Sequence, residues 1–227
     1  MSKINNIFIF FIFLTFPFSL NSHVQHYKDL KLIEFDIYRN NKEIGKHIFY
    51  FEKTDDEIKV KSEITFEIKK LGVVFYKYNV IGTETYRDGK LVEFNSKTNQ
   101  NGKEKYVNLK LENDEYIIYG SSYKGKAPVN YKIGTWWNHS IVKAPAQISA
   151  VSGRIIKQKV TFLGKETLVI KGKNYNALHF NISSTDKKLK KDKKLNTDVW
   201  YEEDSMRWIK ASFNKKGKWE YKLVNVQ

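Results

Sequence analysis

Thr197-Asp198-Val199-Trp200-Tyr201 runs into a charged break at Glu202-Glu203-Asp204. Met206-Arg207-Trp208-Ile209-Lys210-Ala211-Ser212-Phe213 follows, then a polar break at Asn214-Lys215-Lys216-Gly217, then Lys218-Trp219-Glu220-Tyr221-Lys222-Leu223-Val224. Aromatic and β-branched runs bounded by short polar clusters predict three antiparallel strands joined by tight turns.

The same grammar extends upstream. Ile58, Val60, Ser62, Ile64, Phe66 and Ile68 alternate with Lys59, Lys61, Glu63, Thr65 and Glu67. A period of two sustained this long puts one face on a core and the other in water. At about 3.3 Å per residue the strand is ~35 Å long, enough to curl around something. Earlier strands are expected over 31–39 and 44–52. The run from Gly72 to Tyr86 carries apolar groups on both faces, so it is either covered twice or bent at Gly82. Asp88-Gly89 and Asn101-Gly102 are two-residue hairpin signals, because both central positions of a type I′ turn need positive φ. Further strands are expected over 91–98, 106–111, 116–119, 154–162, 166–171 and 175–182.

Only the stretch from Gly120 to Ser152 departs from the pattern. It holds Pro128, Pro145 and the Trp136-Trp137 pair, and reads as an irregular insertion, the alternative being a short helix over 141–151 broken at Pro145. Such insertions are lids, plugs or packing segments.

The N-terminus is of another kind. One charge, Lys3, precedes an Ile/Phe/Leu run over 7–18 that ends in Ser19-Leu20-Asn21-Ser22. This is the anatomy of a signal peptide cleaved after Ser22, leaving 23–227 as one antiparallel β domain, periplasmic or secreted. An uncleaved anchor is the alternative. No later segment is apolar enough to span a bilayer as a helix. There is no cysteine, which removes disulfides, thiol chemistry and thiolate metal sites.

The formal net charge is +15 from 40 Lys and Arg against 25 Asp and Glu, but only Arg39, Arg87, Arg154 and Arg207 are arginine. Nucleic-acid readers lean on the bidentate arginine fork, so a lysine excess of this kind points to compositional drift and away from nucleic acid. Adsorption to anionic lipid stays open. The lysine run over 187–194 reads either as a contact for lipid phosphates or as a solvated hairpin tip.

No nucleophile elbow, zinc-protease, P-loop or dinucleotide motif is present, so no cofactor or metal is implied and an enzyme has no specific support. His23, were it the mature N-terminus, offers an amine and an imidazole to copper, against the plainer reading of an ordinary chain end. His139 and His179 are the remaining candidates for hydrolase or metal chemistry. His179 shares a polar strand face with Ala177 and Asn181. The aromatic residues are more informative. Trp136, Trp137, Tyr76, Tyr78, Trp200 and Trp208 are the candidate lining of a concave face that takes an apolar or lipid-like ligand; their other role is plain core. A sheet of this many strands must curl, and its concave side is filled by a segment or by a ligand.

Ile44-Gly45, Asp88-Gly89, the segment Thr98-Asn99-Gln100-Asn101-Gly102, Trp137-Asn138 and Asp198-Val199-Trp200-Tyr201 together resemble a family of exported bacterial proteins whose domain has no assigned function. That group is similar in architecture to the outer-membrane lipoprotein carriers, half-barrels whose curved antiparallel sheet encloses an apolar cavity. The resemblance implies an all-β half-barrel or open barrel and an apolar ligand, and no catalytic residues. A lipid ligand and an envelope protein partner are thus the two expected classes of partner.

Overall fold

The computed structural model describes Tyr27, residues 29–189 and residues 194–227. The expected signal peptide, the His23 reading and the centre of the lysine run lie outside them. Among the described residues fifteen strands form one curved sheet: β1 (Leu32–Arg39), β2 (Lys42–Lys53), β3 (Ile58–Lys70), β4 (Val73–Arg87), β5 (Lys90–Gln100), β6 (Lys103–Glu112), β7 (Glu115–Gly120), β8 (Lys124–Pro128), β9 (Lys132–Ile133), β10 (Ala146–Ile148), β11 (Ile155–Ile170), β12 (Lys173–Ser184), β13 (Asn196–Glu202), β14 (Trp208–Asn214) and β15 (Lys218–Val226). Every pairing is antiparallel except β9 with β10. A 3-10 turn spans His139–Lys143. Among the described residues no helix is long and apolar enough to cross a membrane.

The spatial order is β8-β7-β6-β5-β4-β3-β2-β1-β15-β14-β13-β12-β11-β10-β9. Two meanders therefore meet where β1 pairs with β15, from Ile33 opposite Val226 to Arg39 opposite Trp219. The sheet does not close by strand pairing. Its two edges, β8 and β9, are joined only by residues 129–131.

Turn chemistry follows the sequence. Asp88 and Gly89 sit at φ 48° and 71°, Asn101 and Gly102 at 53° and 83°, the positive values a type I′ hairpin requires. The predicted alternation of β3 is realised, with Val60, Ser62 and Phe66 buried on the concave side. β4 runs unbroken past Gly82, which stays in register with Ser62 of β3 and Ser96 of β5.

The expected strands 154–162 and 166–171 are one strand, β11. Gly164, at φ 131°, makes a bulge where a turn was anticipated, and Phe162 beside it is exposed. The bulge lets the β11–β12 hairpin curl over the convex face as far as β1. There Lys171 Nζ meets Asp36 Oδ2 at 2.9 Å. The Gly120 to Ser152 stretch also holds more strand than its sequence announces, namely β8, β9 and β10. Their brevity leaves too few residues for an alternation to register.

Candidate functional site

The segment between β8 and β11 enters the concave side and fills it. Trp137 is fully buried, with its ring edge-on to Tyr27, Phe51 and Tyr86 at centroid distances of 5.2, 5.4 and 5.7 Å. Its indole N–H donates to Glu84 Oε1 at 2.7 Å, and Thr135 Oγ1 donates to the same oxygen at 2.8 Å. Tyr86 donates its hydroxyl proton to Glu84 Oε2. Glu84 thus anchors the segment from the inner face of β4. Burial pushes its carboxyl above the usual range, and the three donated bonds only partly offset this.

Other ties run along the segment. The Gln158 amide donates to the carbonyls of Ile141 and Ala144, and its oxygen accepts from Gln147. Ser96 donates to the Ala150 carbonyl. Tyr27 closes the other side, buried, donating to the Met206 carbonyl and in contact with His139 Nδ1 at 3.0 Å. A segment held through this many satisfied polar groups is part of the core, not a loosely seated cover.

The six predicted ligand residues fall into three places. Trp136, Trp137 and Trp208 lie inside. Trp136 turns at φ 61° and packs edge-on to Trp208 and Tyr221, while its carbonyl accepts from Tyr201. Trp208 stacks on Phe35 with centroids 3.9 Å apart. Tyr76 and Tyr78 stack on Phe66 toward one end of the barrel. Trp200 is on the convex face, covered by the curled hairpin. It donates to Glu166 at 2.6 Å, stacks on His179 at 4.1 Å and lies under Lys210 at 4.5 Å. His179 completes this surface group, with Nδ1 3.0 Å from Glu166 and Nε2 3.6 Å from Asp198. The two candidate histidines therefore part, His139 inside and His179 outside.

A cavity of about 140 Å³ lies between the sheet and the segment, lined by His47, Ser62, Phe94, Ser96, Thr135 and Gln147 among others. None of the six predicted aromatics borders it. His47 is the notable wall residue. Its Nε2 is 2.9 Å from Ser62 Oγ, its Nδ1 is buried with no partner, and burial lowers its pKa to about 3.

A histidine neutral in the folded state and protonated when unfolded withdraws stability as pH falls. The loss begins near the unfolded value of 6.5 and is complete near 3. From pH 8 to pH 5 this one group is expected to remove about 2 kcal/mol. Glu84, shifted upward, acts with the opposite sign. The check is therefore the difference between wild type and His47→Gln in urea unfolding at the two pH values. Equal slopes would refute the assignment.

His47, Glu84 and Tyr27 went unnoticed in the sequence. One signal was available for Glu84: it shares parity with Val80, Gly82 and Tyr86, the inward face of β4.

Comparison with known proteins agrees with this architecture. A β-barrel-like protein of the domain of unknown function DUF1849 from Brucella abortus superposes with a TM-score of 0.62 at 11% identity, over 87% of this chain and 97% of that one. A protein of YmcC-like fold from Bacteroides fragilis aligns over 86% of this chain and 94% of its own at 10% identity, with a TM-score of 0.36. The first likeness concerns the fold alone. No curated protein matches the sequence. The model of one family, domain of unknown function DUF6134, matches residues 35–224, from β1 to β15, and the chain belongs to that family.

Proposed function

We propose that this is an exported protein of the cell envelope, with residues 1–22 as its signal peptide and 23–227 as one domain, that acts as a structural or adaptor module through its surface. The observation that carries the reading is the filled interior. Trp137, Trp208, Tyr27 and Tyr201 are buried to 2% exposure or less, and the pocket beside His47 measures about 140 Å³. Pockets that hold drug-sized ligands measure roughly 300–1,000 Å³. A lipid reaching Trp136, Trp137, Tyr78 and Trp208 would have to displace the 129–153 segment together with the Glu84 bonds.

A second reading rests on the cavity beside His47. An apolar or amphipathic group of about benzene's size fits such a volume.

Native mass spectrometry of gently purified protein, before and after denaturation and refolding, tests the choice. The bare chain mass is expected in both. Extra mass that fragments as a lipid and disappears on refolding would overturn the surface reading.

A further inference from the structure

The hairpin β3–β4 overshoots its neighbours. The last pair with β2 is Gly45 opposite Phe66, and the last with β5 is Tyr78 opposite Gln100. Lys77 is still tied to Asn101 of the β5–β6 turn, and residues 68–76 beyond it project as a two-stranded finger. Its tip carries Leu71, Val73, Val74 and Phe75, exposed to 96, 70, 45 and 75%. Leu71 also stands at φ 51°, a position that the β1–β2, β5–β6 and β6–β7 turns give to Asn. A branched apolar side chain is a poor choice for that backbone and for water, so the demands of folding do not explain it.

Charge on this barrel is sorted by end. The registers place the turns β1–β2, β5–β6 and β14–β15 and the loop β12–β13 beside the finger, and the turns β2–β3, β4–β5, β6–β7 and β13–β14 at the other end. The finger end exposes Lys70, Lys103, Lys187, Lys188, Lys215 and Lys216, none of which is in an ion pair among the described residues. The far end exposes Asp55, Asp56, Asp88, Asp114 and Asp204 beside Lys53, Arg87, Lys90 and the β11–β12 lysines Lys171 and Lys173, and the finger end also carries Glu43, Glu104 and Asp186, so the sorting is one of net charge. Lys69 and Lys77 collar the finger and share Glu67, at 3.5 and 3.6 Å. Compositional drift accounts for many lysines but not for this imbalance between the ends.

We propose that the finger end docks on an anionic bilayer surface. Leu71, Val73 and Phe75 enter the interface, and the lysines around them meet lipid phosphates. Apolar tips with a basic collar suit the headgroup boundary, where lysine stems lie along acyl chains and their ammonium groups stay wet. The far end, whose aspartates offset its cations, is attracted less, and the difference sets the orientation. This docking names the partner of the surface reading above and rests on it.

The chain has no cysteine, so single labels are clean. Leu71→Cys and Asp88→Cys, each carrying an environment-sensitive fluorophore, are mixed with vesicles of equal parts phosphatidylglycerol and phosphatidylcholine. A blue shift is expected at 71 and none at 88, weakening with added salt. In co-sedimentation, Leu71→Ser with Phe75→Ser is expected to lower the partition coefficient at least tenfold, roughly what losing two buried apolar side chains implies. Lys69→Gln with Lys70→Gln is expected to lower it roughly 25-fold on these vesicles. Unchanged melting temperatures establish that all variants are folded.

Equal binding to pure phosphatidylcholine, equal shifts at both labels, or no binding overturns the proposal. So does a finger that ignores vesicles and cross-links through residue 71 to an acidic protein. A bare native mass with no vesicle binding would sink the docking and leave the surface reading standing. Interior lipid would sink the surface reading and, with it, the ground on which the docking rests.

Discussion

Glu84→Ala is expected to lose about 4 kcal/mol of stability and roughly 8–16 °C in melting temperature. Removing the carboxylate leaves the Trp137 N–H, the Thr135 hydroxyl and the Tyr86 hydroxyl without their acceptor in a buried site. Each orphaned group costs about 1–3 kcal/mol, and the sum is reduced because the desolvation of Glu84 itself disappears. At this chain length about 1 kcal/mol corresponds to roughly 2–4 °C. Glu84→Gln keeps one carbonyl acceptor and should cost about half as much. Urea and thermal unfolding of the two variants decide the matter. An Ala variant within 1 kcal/mol of wild type would mean that the segment is not held by this carboxyl.

Gly45→Ala is expected to be as damaging, at about 3 kcal/mol or more, for a different reason. A Cβ at Gly45 would lie 2.1 Å from the Thr65 carbonyl oxygen and 2.5 Å from Phe66 Cα. Both are backbone atoms, so β2 and β3 must part at a paired position to admit a methyl group. Gly82→Ala is the control. Its nearest obstacle is the Phe94 ring edge at 3.3 Å, which can yield, and its cost should stay near 1 kcal/mol. Comparable losses at the two positions would show that strand propensity, not the close approach, sets the penalty.

These residues show how far the sequence could be read. Alternation over 58–68 and the Asp88-Gly89 and Asn101-Gly102 turns announced strands and hairpins, because those signals are local in the chain. Ile44-Gly45 stood out as a motif, but the reason for its glycine is a contact across strands that no local pattern encodes. Trp136 and Trp137 stand out within the insertion by their residue type alone. Their partners, Glu84 and Trp208, are remote in sequence, so whether they face a ligand or the protein's own segment was not legible. Trp200 looked like its neighbours in composition, and only the bulge at Gly164, which curls β11–β12 outward, decides which side of the sheet covers it. The ends were hidden too, because sorting charge by end requires knowing which turns point the same way.

The pairing of β1 with β15 bears on how the chain can assemble. The two strands at the centre of the sheet come from its extremes, with Ile33 opposite Val226 and the Gln227 carbonyl accepting from the Lys31 and Leu32 amides. The edges come from its middle. A half-sheet of β1–β8 can form while later residues are still absent, but it must wait with β1 as an open rim, ready to take any passing strand. Closing that seam is the most non-local step available to the molecule, and therefore a slow one. The insertion behind Trp137 emerges between the two halves in time, so it can occupy the concave side of the first half before the second arrives to bury it.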